Sequence, residues 1–167
     1  MENAKILELI KAKFPEAVID DQDCRGDLQV TVAKDAFMEM MTFLHDDPQL
    51  SFDLLIDVLS IDNSERRRQP RFEVVYVLLS TASFARLLVK VPVPEGEEMP
   101  SVIGIWQAAD FPEREVFDMM GIRFAGHPDL RRILTWDDFD GNPLLKDFPL
   151  LGKDFDEVWD PDTIEVR

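Results

Sequence analysis

Residues Asp53–Val91 read DLLIDVLSIDNSERRRQPRFEVVYVLLSTASFARLLVKV. Three runs within this stretch, Asp53–Ile61, Arg71–Ser80 and Phe84–Val91, are rich in Val, Ile, Leu, Phe and Tyr, the residues that suit a pleated, half-buried surface. Thr81-Ala82-Ser83 joins the second run to the third and is short enough for a hairpin, so those two strands are expected to be antiparallel. The nearly unbroken apolar run LLIDVLSI predicts a central strand covered on both faces. Arg66, Arg67, Arg68 and Arg71 fall between the first two runs and read as a solvated loop, with contact to an acidic partner as the alternative.

Working towards the N-terminus, Leu28, Val30 and Val32 alternate with Gln29 and Thr31 as a half-buried strand. Val18 and Ile19 predict a short strand, and Asp20–Asp27 a turn. Two amphipathic helices are expected. The first spans Ala4–Phe14, capped by Asn3, with Ile6, Leu7, Ile10 and Phe14 on one face. The second starts near Asp35 and buries Phe37, Met40, Met41 and Leu44, with His45 at its C-terminal end.

Towards the C-terminus, Pro92, Pro94 and the acidic run Glu95–Glu98 end the sheet. A helical region opens at Pro100 and breaks at Pro112. A new helix starts with Asp110 and Glu113 at capping-box spacing, buries Val116, Phe117 and Met120, and stops at Gly121. Ile122–Phe124 reads as a short strand. The sequence thus predicts one compact α+β domain over residues 1–124, with a mixed, largely antiparallel sheet flanked by helices.

Residues 125–167 have no period. They carry Ile133, Leu134, Trp136, Phe139, Leu144, Leu145, Phe148, Leu150, Leu151, Phe155, Val158 and Trp159, a composition too apolar for a disordered tail. Structureless stretches of this length are uncommon unless they serve a function. An extended irregular segment is expected, ordered by a preformed surface on a partner subunit, on its own domain, or on both.

The formal net charge is −16, which opposes binding to nucleic acid or anionic lipid. No run approaches the roughly 18 apolar residues of a membrane helix, and the N-terminus lacks a secretion signal, so a cytoplasmic protein is the default. One cysteine, Cys24, and two histidines, His45 and His127, supply neither a cluster nor a structural zinc site. Cys24 reads as a free surface thiol. Glu113, Glu115 and His127 could in principle move protons, but no nucleophile, oxyanion motif or phosphate loop accompanies them. His127 with Asp129, Asp137, Asp138 and Asp140 matches no known metal-site spacing.

The block EREVFDMMGIRFAGHPDLRRIL, followed by GNPLLKDFP, resembles the 30 kDa-type (C-type) subunit family of NADH:quinone oxidoreductase, respiratory complex I. FEVVYVLLS and PSVIGIW upstream are similar to the same family, and the resemblance runs from about Leu54 to Gly152. It implies a compact α/β domain with an extended C-terminal segment and no cofactor of its own. NADH, FMN, iron–sulfur clusters and quinone would be bound by partner subunits. It further implies a peripheral scaffold within a hetero-oligomer on the cytoplasmic face of the cell membrane, packed against the D-type subunit and the iron–sulfur subunits.

Within the matched blocks, Arg114, Arg131, Arg132, Lys146 and Asp147 are expected to make charged interface contacts. Phe124, Pro128, Phe148 and Pro149 are expected to act as anchors. Glu113, Glu115, Asp118, Gly121, His127, Leu130, Gly141 and Pro143 are expected at the same interface. The family commonly has GHPLRKDFP where this chain has Asn142 for His and Leu145 for Arg, which changes the polar contacts of that segment. Related subunits serve membrane-bound nickel–iron hydrogenases and dehydrogenases with other donors. Rival readings are a stand-alone acid–base enzyme using Glu113, Glu115 and His127, and an adaptor that binds basic peptides.

Overall fold

The computed structural model describes residues 2–66 and 69–150. Among them, three helices, α1 (Asn3–Lys13), α2 (Phe37–Asp46) and α3 (Asp110–Met120), accompany seven strands. These are β1 (Val18–Cys24), β2 (Asp27–Val32), β3 (Leu54–Asp62), β4 (Phe72–Leu79), β5 (Arg86–Val93) and the two-residue strands β6 (Met99–Pro100) and β7 (Phe124–Ala125). The main sheet has the order β1-β2-β5-β4-β3. Only β2 and β5 pair in parallel within it, while β1–β2, β4–β5 and β3–β4 are antiparallel. This is the mixed, largely antiparallel sheet that the sequence predicts.

The helices cover one face of the sheet. Alternate residues Val30, Val74, Tyr76, Leu78, Leu87, Val89 and Val91 join Ile6 and Ile10 of α1, Phe37, Met40, Met41 and Leu44 of α2, and Val116 of α3 in one core. Each fully buried aliphatic side chain of this kind stabilises the fold by about 1.5–3 kcal/mol relative to exposure. The helical stripes expected for α1 and α2 point inward as their spacing requires.

Four local expectations change. The LLIDVLSI run lies in β3, an edge strand and not a central one. The register slips between Leu55 and Asp57. That bulge sends Leu55 and Val58 into the core and leaves Leu54, Ile56 and Leu59 outside. In one dimension, an apolar run interrupted by a bulge looks the same as one buried on both sides.

The acidic stretch expected as a turn belongs to β1, which pairs with β2 along its length, so only Arg25-Gly26 turns. An edge strand tolerates polar residues because one flank meets water. Asn3 begins α1 instead of capping it; its amide donates to Asp23 and to the Gly26 carbonyl, tying the helix to that hairpin. Residues 101–106 form a turn and Pro100 sits in β6, not in a helix. A short 3₁₀ turn, Gln107–Ala109, leads straight into α3. Pro112 is accommodated in the first turn, where its missing N–H is no loss.

Candidate functional site

Helix α3 is buried on nearly every side. Val116, Met119 and Met120 face the core, yet Glu113, Arg114 and Asp118 are buried as well. Charged residues are seldom buried unless paired, and each of these three is paired with something outside the helix.

Glu113 does not complete the expected capping box. One of its oxygens accepts from Ser101 Oγ at 2.6 Å and the other from the Val102 N–H at 2.8 Å. It therefore fastens the 101–106 turn to α3. Burial pushes its carboxyl above the ordinary range, although the bonds from Ser101 and Val102 and the nearby His127 oppose that shift.

Arg114 and Asp118 hold the irregular segment. Arg114 donates to the carbonyls of Arg131 and Arg132, each at 3.2 Å. Asp118 Oδ2 accepts the N–H groups of Ile133, Leu134 and Thr135 at 3.0, 2.8 and 2.9 Å. Its Oδ1 accepts from Arg132 Nη1 at 2.7 Å and from the Thr135 hydroxyl. Three successive N–H groups converging on one carboxylate form an anion nest. Burial raises the pKa of Asp118, but the bonds from Thr135, Arg132 and Ile133 outweigh it and hold the carboxyl far below the usual carboxylate range. The other nitrogen of the Arg132 fork, Nη2, reaches the carbonyls of Phe139 and Gly141 at 2.9 and 3.1 Å.

A second clasp lies at the far end of the segment. Asp62 Oδ2, at the end of β3, accepts the Lys146 N–H at 3.0 Å and Arg71 Nη2 at 3.0 Å. The same Arg71 also bridges Asp147 at 2.9 Å and Glu95 at 2.8 Å. Arg71 is thus an ion-pair hub and not part of a solvated loop. Arg66 is exposed, while Arg67 and Arg68 lie outside the described residues. Burial disfavours ionised Asp62, but Arg71 and the Lys146 N–H overcome this and lower its pKa strongly.

Between the clasps, the Asn142 amide donates to the Phe117 and Asp118 carbonyls at 3.4 and 2.9 Å. The Leu144 N–H bonds the Met119 carbonyl at 3.1 Å, and Leu145 packs against the core. The two positions that depart from the family pattern thus have defined places, one capping α3 and one apolar. Trp136 meets Phe139 edge-to-face at 4.9 Å, and Phe139 stacks on Phe148 at 5.9 Å.

The surface that orders residues 126–150 is therefore, in large part, the chain's own α3 and β3. Several expected interface residues have internal roles. Glu113, Arg114, Asp118 and Phe124 are buried within the chain. Arg132 is turned inward by Asp118, and Gly121 terminates α3 at φ +74°. His127 Nδ1 accepts the Asp129 N–H at 3.1 Å, and Nε2 lies 3.2 Å from the Asp110 carbonyl, so both ring nitrogens are engaged.

Leu130, Gly141, Pro143 and Phe148 are half-buried. Glu115, Pro128, Arg131, Lys146, Asp147 and Pro149 remain exposed. Glu113 and His127 each make the hydrogen bonds given above, and Glu115 is exposed. Among the described residues no group of three or more His, Cys, Asp or Glu side chains is placed to hold a metal ion. Leu151, Phe155, Val158 and Trp159 lie outside the described residues.

Asp62, Thr135 and Asn142 carry the clasps, and no sequence signal marks them for that role. Asp62 sits 84 positions from its partner Lys146, and no local pattern encodes such a pairing.

A two-layer α+β domain thus carries a long irregular arm fastened along one helix. The family model described as respiratory-chain NADH dehydrogenase, 30 kDa subunit, matches residues 30–154. The chain belongs to that family. It is 41% identical to the NADH-quinone oxidoreductase C-type subunit of Roseiflexus sp. (strain RS-1) over 165 residues, which is 98% of this chain and 94% of the relative. The corresponding NADH-quinone oxidoreductase protein of Hyphomonas neptunium is 47% identical over 143 residues, 86% of this chain and 70% of the relative.

Among solved structures, a trypsin-resistant fragment (1–134) of Nqo5 superposes with a TM-score of 0.68 at 34% identity, covering 78% of this chain and 100% of the fragment. A chain of the membrane-bound sulfane sulfur reductase, an archaeal respiratory membrane complex, superposes with a TM-score of 0.74 at 25% identity, covering 90% of this chain and 88% of its own.

Proposed function

We propose that this chain is a cofactor-free scaffold subunit in the hydrophilic arm of a proton-translocating NADH:quinone oxidoreductase. In this reading it is one member of a hetero-oligomer, peripheral to the membrane on its cytoplasmic face. It packs against the D-type subunit and the iron–sulfur subunits and holds them in register. NADH, FMN, the clusters and quinone belong to those partners. Family membership supports the complex, and one structural observation carries the scaffold role: the irregular segment is fixed to its own domain by polar clasps while large apolar side chains stay outside. No helix among the described residues is long and apolar enough to cross a membrane, which is compatible with a peripheral place. Electron transfer needs fixed spacing between centres, so a rigid spacer affects rate without doing chemistry.

A second reading is the equivalent subunit of a nickel–iron hydrogenase or another donor:quinone complex. The likeness to the sulfane sulfur reductase chain favours keeping it, since that assembly shares the fold. Affinity purification of the full chain from its native host, followed by identification of its companions, separates the two. The D-type subunit and cluster-bearing chains with NADH:quinone activity are expected. Hydrogenase subunits would redirect the assignment, and a solitary monomer that turns over a small substrate would overturn it.

A further inference from the structure

Tyr76 stands in the middle of β4 and belongs to the core that α1, α2 and α3 cover. Its ring packs on Phe37 of α2 with 4.8 Å between centroids. The residue is fully buried, and its hydroxyl has no hydrogen-bond partner within the protein. A buried tyrosine hydroxyl normally finds one, because a dry, unpaired O–H has lost its bonds to water for nothing. On α3, Glu113, Val116 and Met120 lie at i, i+3 and i+7, a spacing that places them on one helix face, and all three are buried. Val116 and Tyr76 belong to the same core cluster. Burial pushes the Tyr76 phenol up and the charge of Glu113 adds to that shift, so hydroxyl and carboxylate act on each other across the interface between sheet and helix. The other groups that face Glu113 are Ser101 and Val102 of the turn, Asp110 of its own helix, and His127 beyond β7. Ser101 and Val102 each donate one hydrogen bond to it. An ionised carboxylate has about four acceptor sites, so sites remain free.

We propose that one internal water bridges the Tyr76 hydroxyl to the Glu113 carboxylate, so that a polar link crosses from β4 to α3 inside the apolar core. Internal waters settle where buried polar atoms lack protein partners. Here the phenol donates to the water, and the water donates to a free acceptor site of the carboxylate. The link holds Glu113 from the sheet side while Ser101 and Val102 hold it from the turn. Tyr76 is then a positioning residue: it acts through Glu113 on the 101–106 turn and on the helix that carries the arm. Two other arrangements make different predictions. A dry hydroxyl contributes nothing that phenylalanine would lose. A direct bond from Tyr76 to Glu113 needs no water.

The test compares the full chain with Tyr76→Phe, Glu113→Gln and the double variant in urea melts at neutral pH. Tyr76→Phe keeps the ring and removes only the oxygen. It is expected to lower the folding constant about fivefold, and by less in the Glu113→Gln background, because a neutral acceptor holds the water less strongly. Carbon-13 NMR of the Glu113 carboxyl adds a readout that a packing role would not move. Loss of the water's hydrogen bond disfavours the ionised form, so the titration should shift upward in Tyr76→Phe. Unchanged or increased stability of Tyr76→Phe, with the Glu113 titration unmoved, would mean a dry hydroxyl and would overturn the proposal. A crystal structure of the wild-type full chain decides independently of any variant. Density for a water within hydrogen-bond distance of both Tyr76 Oη and a Glu113 oxygen is expected. Direct contact between the two groups, or no density between them, would sink the bridge.

Discussion

At the scale of single residues, α3 carries two buried carboxylates with opposite behaviour. Asp118 has its folded pKa depressed, because the hydrogen bonds it accepts outweigh its burial. Its contribution is therefore complete above the unfolded value near about pH 4 and is lost as the pH falls through the still lower folded value. Glu113 has its folded pKa raised by burial, so its contribution is complete below the unfolded value near about pH 4.3 and is lost as the pH rises through the folded one. Glu113→Gln keeps an acceptor for the Val102 N–H and removes the buried charge. Relative to that variant, the wild type should gain stability as urea melts are repeated from neutral pH down to about pH 5. Asp118→Ala strands the Arg132 guanidinium and three N–H groups and should cost about 3 kcal/mol or more, read from the same melts at neutral pH. Gly121→Ala should cost about 1–2 kcal/mol, because Gly121 adopts a left-handed backbone and a Cβ there would lie 2.8 Å from Asn142 Oδ1.

At the scale of elements, the arm and the edge strand β3 belong together. β3 ends at Asp62, whose carboxylate takes the Lys146 N–H, so the strand that closes the sheet also anchors the arm's far end. Polar clasps hold the arm with little apolar burial, so it should open more readily than the domain. Limited trypsin digestion of the isolated chain is expected to cut first at exposed Arg131 or Lys146, leaving the residues before Ala125 intact. Asp118→Asn should speed that first cut several-fold without changing the domain's own resistance. Equal resistance throughout the chain would mean that the arm is as firmly built as the sheet.

At the scale of the whole molecule, charge and apolar exposure separate. The net charge of −16 favours solubility and basic partners, while Leu134, Trp136, Leu144 and Leu150 stay exposed on the arm. In the scaffold reading, the acidic chain meets its neighbours through opposite charges. Raising the salt concentration should accordingly slow reassembly of the stripped chain with its complex more than it speeds dissociation, since rim charges act mainly on encounter; stopped-flow association across a salt series checks this.

The sequence by itself determined the helical stripes of α1 and α2, the β4–β5 hairpin, the αL stop at Gly121 and the irregular, apolar character of the arm. Each of these is written in local periodicity or in a backbone conformation that few residues accept. Only the tertiary structure decided that β3 is an edge strand, that Arg71 is a hub, and that Glu113, Arg114 and Asp118 turn inward. A one-residue bulge reverses which side chains are covered without altering composition. A carboxylate becomes a clasp only when backbone N–H groups from a distant segment reach it, and no short-range pattern records that meeting.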